Sequence, residues 1–155
     1  MSANEACRRA RERLKGDESY AGDVTPSEAW EFLESEPAAT LVDVRTDAEW
    51  SYVGGPDLSS LDKKPILIGW QLFPSMAANP SFVEEVERQG VSKEAPILLL
   101  CRSGARSKAA AQALTARGYR ACFNIADGFE GPHDGARHRG TVAGWKASGL
   151  PWRQG

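Results

Sequence analysis

Cys101 is the residue with the clearest chemical potential in this sequence. It directly follows the apolar run "APILLL" and precedes "RSGARSKAAAQAL", which carries two arginines and a glycine. A loop that leads from a strand into a helix can turn successive backbone N–H groups inward, where their dipoles favour negative charge. A cysteine at the start of such a loop is expected to spend more time as a thiolate, the nucleophilic form. The pattern predicts a cysteine nucleophile in a loop that binds anions.

The segment after Cys101 suits a tight anion-binding turn. Gly104 fits a curve whose backbone torsion a Cβ atom would oppose. Arg102 and Arg106 add positive charge, and their planar guanidinium groups match tetrahedral oxyanions. Small residues then let a helix approach the sheet closely and fix its N-terminus under the loop; they are Ala109, Ala110, Ala111 and Ala113.

The other two cysteines favour a structural interpretation. A free cysteine is most often a small buried hydrophobe; we expect this of Cys122, and either this or plain exposure for Cys7. Three cysteines form an odd set without metal-ligand spacing, so neither a disulfide framework nor a metal site is expected. Such cysteine usage is typical of a reducing compartment, and we expect a cytoplasmic protein.

Composition and charge narrow the range of partners. A chain of 155 residues with 41% apolar residues is typical of one stable globular domain. A net charge of −2 gives no general attraction to nucleic acid or to an anionic membrane, so neither is expected as a partner. No apolar run is long enough to span a bilayer, and the first residues, "MSANEACRRARERLKGDESY", lack the apolar core of a secretory signal.

Local signals predict where the helices begin. Two capping boxes, Thr25 with Glu28 and Thr46 with Glu49, each mark a helix start. Further helices are expected in "SFVEEVERQG", from Ser107 to Arg117, and in "GWKASG" near the end of the chain. Residues 3–15 form a charged helix with a thin apolar stripe, so we expect residues 1–22 to be a loosely docked N-terminal arm and residues 23–155 to be the folded domain.

Strands are predicted between these helices, in "ATLVDVR", "PILIGWQL", "APILLLC" and "YRACFNI". The run "APILLLC" does not alternate with polar residues, which is typical of a central parallel strand covered on both faces. Strands that alternate with helices indicate a three-layer α/β fold with a mainly parallel sheet. Sites in such sheets collect at the carboxyl ends of strands, where Cys101 and the segment from Asp43 to Arg45 lie.

The order of three motifs resembles that of a single-domain rhodanese. They are "DVRTDAEW", "CRSGARSKAAAQAL" and "NIADGFEG" followed by "GLPW", and the resemblance covers about residues 24–152. It implies the rhodanese α/β fold, with a largely parallel five-stranded sheet and helices on both faces. It also implies a sulfurtransferase that works through a covalent cysteine persulfide on Cys101, without a cofactor.

The length of the cysteine loop separates activities within this fold. Cys101 to Arg106 is C-x4-R, as in rhodanese-like sulfurtransferases, whereas the related phosphatases and arsenate reductases have one residue more. A phosphatase or an arsenate reductase is therefore the less favoured alternative. A persulfide carrier that passes its sulfur to a protein partner is another. The sequence leaves the donor, the acceptor and the oligomeric state open.

The resemblance also assigns roles within the loop. The Cys101 thiolate takes the outer sulfur of thiosulfate or a similar donor and passes it to cyanide or a thiol. Arg102 is expected to hold the donor's sulfonate and Arg106 to anchor the loop, while backbone amides hold the persulfide. The expected substrate-binding residues form one continuous segment: Arg102, Ser103, Gly104, Ala105, Arg106 and Ser107.

Two further pairs match the family's pattern. Asp43 and Arg45 correspond to its acid-x-Arg pair, which we expect to brace the loop; a solvated pair at a strand end is the alternative. Asp127 and Gly128 correspond to its acidic-glycine turn, and we expect them to be architectural.

The segment "EGPHDGARHRGTVAGW" departs from the family by its length and glycine content. Its basic residues Arg137, His138 and Arg139 could fold over the pocket as a lid, or lie in a solvated loop. The two histidines have no partnering cysteines or acids at ligand spacing, so we do not expect a metal there. The five tryptophans are expected to be core or rim residues, and Trp70, which follows a predicted strand, is the one that could line the pocket.

Overall fold

The computed structural model describes residues 3–16 and 19–154. Residues 1, 2, 17 and 18 of the predicted arm, and the last residue of the predicted domain, lie outside this range. The helices are Ala3–Arg13 (α1), Pro26–Ser35 (α2), Asp47–Tyr52 (α3), Phe82–Arg88 (α4) and Ala105–Ala116 (α5), with a short 3-10 turn at Ser59–Leu61. The strands are Gly22–Val24 (β1), Thr40–Asp43 (β2), Gly55–Pro56 (β3), Ile66–Leu67 (β4), Gln71–Leu72 (β5), Ala77–Ala78 (β6), Ile97–Leu100 (β7), Cys122–Ile125 (β8) and Trp152–Arg153 (β9).

The central sheet has five strands in the order β1-β8-β7-β2-β4, and every neighbouring pair is parallel. Helices surround the sheet, which confirms the predicted three-layer α/β fold. The strand β7 lies in the middle of the sheet, as its unbroken apolar sequence predicts.

The core is divided by the sheet into two clusters, because successive side chains of a strand point to opposite faces. On one face, Leu98 and Leu100 of β7 lie in the same cluster as Phe32 of α2. On the other face, Ile97 and Leu99 lie in the same cluster as Leu114 of α5. All four side chains of β7 are fully buried, which explains why this strand carries no polar position.

Both predicted capping boxes are confirmed. Thr25 and Glu28 exchange side-chain and backbone hydrogen bonds at the start of α2, and Thr46 and Glu49 do the same at α3. Each box satisfies N–H groups that the first turn of a helix leaves unpaired. The second box matters for the site, because it orients Glu49.

The N-terminal helix packs more firmly than its thin apolar stripe predicts. Ala6 and Ala10 of α1 are fully buried, and a Cβ atom on Gly22 would lie 2.5 Å from the backbone of Ala10. Arg13, at the end of α1, donates hydrogen bonds of 2.6 and 3.1 Å to the buried carboxylate of Glu28. The small side chains therefore permit a close helix–strand approach that a hydrophobicity count does not reveal. The division of the chain into arm and domain stays a prediction.

The segment predicted as one strand, "PILIGWQL", is interrupted. Only Ile66–Leu67 pairs as β4, after which the amides of Ile68 and Trp70 still donate to carbonyls of β2 and Val44. The chain then turns into a small antiparallel hairpin of β5 and β6. This hairpin reaches the mouth of the site described below.

The helix predicted in "GWKASG" is wrong, and residues 141–150 form turns. Gly144 and Gly149 have φ values of 103° and 75°, which lie outside the helical region. Trp145 is fully buried and donates from its ring nitrogen to the carbonyl of Pro151, at 2.7 Å. The chain end then pairs with β3 as the antiparallel strand β9.

Within the described residues, no helix is long and apolar enough to cross a membrane.

Candidate active site

Cys101 lies directly after the central strand β7, at its carboxyl end. The chain runs through Arg102, Ser103 and Gly104 and enters α5 at Ala105, two residues earlier than predicted. Gly104 caps this helix with a φ of 112°, a torsion that a side chain would oppose. A Cβ atom at Gly104 would come no closer than 3.6 Å to its neighbours, so the backbone torsion is what calls for glycine.

Cys101 is 1% exposed and lines a cavity of about 310 Å³. The cavity is lined by Glu49, Gln71, Met76, Cys101, Arg102, Ser103, Ala105 and Arg106. The amide of Gly104 donates to Sγ at 3.0 Å, and Oγ of Ser107 lies 3.2 Å from Sγ. One backbone donor and one hydroxyl thus converge on the sulfur from the start of α5.

The carbonyl groups of the loop are held on its outer side. The carbonyl of Cys101 accepts from the amide of Phe129 at 2.8 Å. The carbonyl of Arg102 accepts from the amides of Glu130 and Gly131, at 3.0 and 3.1 Å. Three amides of the turn after β8 therefore keep two carbonyl dipoles directed away from the sulfur.

This close contact depends on the glycine of the predicted acidic-glycine turn. Gly128 has a φ of 62°, and the residue before it, Asp127, has a φ of 65°. A Cβ atom on Gly128 would lie 2.4 Å from the carbonyl oxygen of Cys101 and 2.6 Å from the backbone of Arg102. Real Cβ atoms do not approach so closely, so a side chain at Gly128 would displace the loop.

Arg106 is tied to the protein through Glu49 of α3. Its guanidinium group donates two hydrogen bonds to the carboxylate, of 2.7 and 3.0 Å. Burial by itself would raise the pKa of Glu49, but the hydrogen bonds and charge of Arg106, with the amide and hydroxyl of Thr46, hold that pKa below its ordinary value. The hydrogen bonds from Glu49 likewise raise the pKa of Arg106. A bidentate pair of this kind fixes both position and orientation.

Arg102 is placed differently from Arg106. Its side chain is exposed and lines the cavity. Within residues 3–16 and 19–154, no hydrogen bond or ion pair engages its guanidinium group. The loop therefore has one arginine that is neutralised by a carboxylate and one that is available to an incoming anion.

Asp43 and Arg45 form an ion pair that is fully buried. The Arg45 guanidinium donates to the Asp43 carboxylate at 2.7 and 2.9 Å and to the carbonyl of Gly54 at 2.7 Å, and both side chains are 0% exposed. The guanidinium lies over the ring of Phe129, 4.5 Å from its centroid. Because the amide of Phe129 holds the carbonyl of Cys101, this pair supports the turn that shapes the loop.

The basic segment with Arg137, His138 and Arg139 is organised by its own contacts. The carboxylate of Asp134 accepts hydrogen bonds from the amides of Ala136 and His138, and Arg139 donates to the carbonyl of Gly131 at 2.6 Å. None of the three basic residues is among those that line the cavity at Cys101. Their role as a lid stays a prediction.

The remaining cysteines lie away from this cavity. Burial raises the pKa of the Cys122 thiol to about 12, which keeps it protonated and unreactive, as expected of a core residue. Cys7 is half-buried, and burial raises its pKa as well. Among the described residues, no group of three or more histidines, cysteines or acids is placed to hold a metal ion.

The comparisons with known proteins agree with this geometry. Residues 21–155 match the family model described as "STR4 middle domain". The chain is 40% identical over 131 residues to the uncharacterized protein RC0915 of Rickettsia conorii, covering 84% of this chain and 96% of that protein. It is 26% identical over 129 residues to the thiosulfate sulfurtransferase GlpE of Actinobacillus pleuropneumoniae, covering 83% and 90% of the two chains.

Solved structures are also similar to this chain. The crystal structure of Rv0390 from M. tuberculosis superposes with a TM-score of 0.81 at 48% identity, covering 88% of this chain and 99% of that one. A rhodanese-like domain protein from Staphylococcus aureus shares the fold, with a TM-score of 0.50 at 21% identity over 83% and 95% of the chains. The chain belongs to the rhodanese family.

Sequence reasoning located the rhodanese loop but missed part of its surroundings. Gln71 and Met76 of the hairpin line the cavity, whereas Trp70, which the sequence singled out, packs edge-on against Phe82 with ring centroids 5.2 Å apart. The sequence identifies Glu49 only as a capping residue. In the structure, its carboxylate also accepts two hydrogen bonds from Arg106. The capping box was the available signal, because its hydrogen bonds to Thr46 orient the Glu49 carboxylate.

Gly128→Ala tests whether the turn shapes the loop of this rhodanese-like protein. We expect the free energy of unfolding to fall by more than about 2 kcal/mol, because the new Cβ clashes with backbone and the left-handed torsion opposes it. The rate of Cys101 alkylation should also change, because the new Cβ atom displaces the loop that holds Cys101. Gly135→Ala is the matched control, since nothing lies within 4 Å of a Cβ there. Equal chemical-denaturation curves for the two variants would contradict this account.

Asp43→Ala tests the buried ion pair. Because it leaves the Arg45 charge buried and unpaired, we expect a loss of about 3–5 kcal/mol in the free energy of unfolding. Glu94→Ala, which removes an exposed partner of Arg120, should cost less than about 1 kcal/mol. Adding Arg45→Met to Asp43→Ala should restore part of the stability, as measured by urea denaturation. A double variant less stable than Asp43→Ala would exclude the unpaired charge as the cause.

Proposed function

We propose that this protein transfers sulfane sulfur from thiosulfate or a similar donor to a thiophilic acceptor, through a persulfide on Cys101. The observation that carries the proposal is that Cys101, whose sulfur accepts a hydrogen bond from the Gly104 amide, lines the same cavity as the exposed side chain of Arg102. The similarity to a protein named thiosulfate sulfurtransferase supports the same reaction class.

The first step is a displacement at sulfur. The Cys101 thiolate attacks the outer sulfur of thiosulfate, a new S–S bond forms, and the S–S bond of the donor breaks. Sulfite leaves with the bonding electron pair, and in our proposal Arg102 holds its negative charge. The Gly104 amide donates to the sulfur of Cys101 and stabilises its anionic form.

The second step returns the thiolate. An acceptor such as cyanide or a thiol attacks the outer sulfur of the persulfide, and the Cys101 sulfur leaves with the electron pair of the broken S–S bond. Cyanide then becomes thiocyanate, and a thiol becomes a persulfide. Splitting one transfer into two displacements is ordinary covalent catalysis, and it needs no cofactor.

The size of the loop favours sulfur over phosphorus. Arg106 follows Cys101 by five positions, and its pairing with Glu49 commits its guanidinium group to the protein. Arg102 remains for the anion. A phosphatase or an arsenate reductase is the alternative that the assays below distinguish.

The three cysteines are all free thiols, which supports our proposal of a cytoplasmic location.

A protein acceptor is the second candidate, and the hairpin of β5 and β6 favours it. Leu72, Phe73 and Met76 are 47%, 58% and 39% exposed, and Met76 also lines the Cys101 cavity. Apolar side chains this exposed at the rim of a site are typical of a surface that another protein covers. In this version, the protein carries sulfur and releases it fastest to a docked protein thiol.

Thiocyanate formation from thiosulfate and cyanide tests the main proposal. Wild-type protein should turn over, Cys101→Ser should not, and Cys7→Ser should retain the wild-type rate, because Cys7 lies on α1 away from the cavity. Equal rates for wild type and Cys101→Ser would refute the proposal. So would hydrolysis of an aryl phosphate that depends on Cys101 without any thiocyanate formed.

Phe73→Ser tests the protein-acceptor version. The persulfide form is mixed with a reduced protein dithiol such as thioredoxin, or with cyanide, and the release of sulfur is followed. We expect transfer to the protein to slow roughly fivefold, the scale of one interface contact, and transfer to cyanide to stay unchanged. Tyr52→Ser, which alters an aromatic residue that is 79% exposed outside the cavity lining, is the control. A loss of equal size with both acceptors, or with neither, would contradict the docking role.

A further inference from the structure

A chain of hydrogen bonds, buried at Ser107 and part-buried at Asp23, connects Cys101 to the edge strand β1. Oγ of Ser107 lies 3.2 Å from Sγ of Cys101 and 2.5 Å from Oδ1 of Asn124. Nδ2 of Asn124 donates to Oδ1 of Asp23 at 3.0 Å, and the Tyr20 hydroxyl donates to the same oxygen at 2.8 Å. Ser107 and Asn124 are 0% and 5% exposed, so bulk water does not compete for these contacts.

The direction of each hydrogen bond follows from the number of protons available. An ionised carboxylate only accepts, so Asp23 must face the NH₂ group of Asn124. The amide oxygen of Asn124 is thereby turned toward Ser107. Because an amide oxygen also only accepts, the hydroxyl of Ser107 donates its single proton to Asn124. Toward Cys101, Ser107 then presents a lone pair.

This direction has a consequence for the charge state of Cys101. A neutral thiol can donate its S–H to the lone pair of Ser107. A thiolate cannot, and it gains a hydrogen bond from Ser107 only if the hydroxyl turns its proton away from Asn124. A buried amide oxygen that loses its donor raises the free energy. Asn124 and the Cys101 thiolate thus compete for one proton.

We infer that Asn124, oriented by Asp23, is a positioning residue that restrains the nucleophile. It holds the Ser107 proton while Cys101 is a thiol and yields it when the sulfur becomes anionic. Under the proposed function, on which the catalytic meaning of this inference rests, the sulfur is anionic before the first displacement and again after the second. The hydroxyl would therefore turn twice in each cycle.

The charged groups that face Cys101 stay the same in the variants that test this idea. Glu49, Arg102 and Arg106 line its cavity, and the Asp43–Arg45 pair lies on the neighbouring strand β2 and its end. The differences between variants therefore report on the neutral Ser107–Asn124 contact, and not on a changed electrostatic field.

The test measures the pH midpoint of Cys101 alkylation by iodoacetamide, in a Cys7→Ser background. Ser107→Ala removes the proton donor and should move the midpoint to higher pH. Asn124→Leu has similar branching without an amide, frees the Ser107 proton, and should move the midpoint to lower pH by roughly 0.5–1 unit, the scale of one hydrogen bond to a charged atom. In the double variant, Asn124→Leu should have no effect of its own.

Opposite signs and the loss of the Asn124 effect without Ser107 are outcomes that a merely structural role would not give. A shift of Asn124→Leu to higher pH, or an equal shift with and without Ser107, would overturn the inference. If Asn124→Leu does not fold, as judged by circular dichroism, Asn124→Ala replaces it. That variant also removes the amide oxygen without changing any charge and should lower the midpoint; no change, or a rise, would overturn the inference.

Alkylation requires no sulfur transfer, so the test separates this inference from the proposed function. An absence of thiocyanate formation together with the expected midpoint shifts would remove the proposed reaction and leave the proton competition in place. Normal thiocyanate formation with unchanged midpoints would support the proposed reaction and remove the proton competition.

Discussion

The active loop depends on one constraint: two carbonyl groups must point away from the sulfur of Cys101. The amides of the turn after β8 impose it, because they donate hydrogen bonds of 2.8–3.1 Å to the carbonyls of Cys101 and Arg102. The turn can lie so close only because Gly128 has no Cβ atom. Once the carbonyls face outward, the amide of Gly104 faces the sulfur and α5 can begin one residue later.

The arginines near Cys101 are of two kinds, those paired with a carboxylate and one that is exposed at the cavity. The protein carries a net charge of −2, so the attraction for an anion must be created locally. Arg106 is neutralised by Glu49 and Arg45 by Asp43, and Arg45 also donates to the carbonyl of Gly54. Within the part of the chain that the structure describes, Arg102 makes no hydrogen bond or ion pair through its guanidinium group, and we propose that it binds the anionic ligand.

The parts of this arrangement that depend on neighbouring residues could be predicted from the sequence. The capping boxes at Thr25 and Thr46 and the central strand β7 are of this kind, because their signals lie within a few positions. The glycine at 104 is another, since a strand that turns directly into a helix calls for an unusual torsion.

The parts that depend on distant residues could not be predicted. Glu49 and Arg106 are 57 positions apart, and Asp23 and Asn124 are 101 apart; only the sheet order brings them together. The N-terminal helix was underestimated because alanine contributes little to a hydrophobic pattern yet permits close packing. The final segment was predicted as a helix from "GWKASG", but only a single turn forms there, between two glycines with φ values of 103° and 75°.

The mass of the intact protein after treatment with thiosulfate tests the central claim most directly. The account predicts a gain of one sulfur atom in the wild type, no gain in Cys101→Ser, and removal of the added sulfur by cyanide. A gain that persists in Cys101→Ser, or no gain in the wild type, would contradict it.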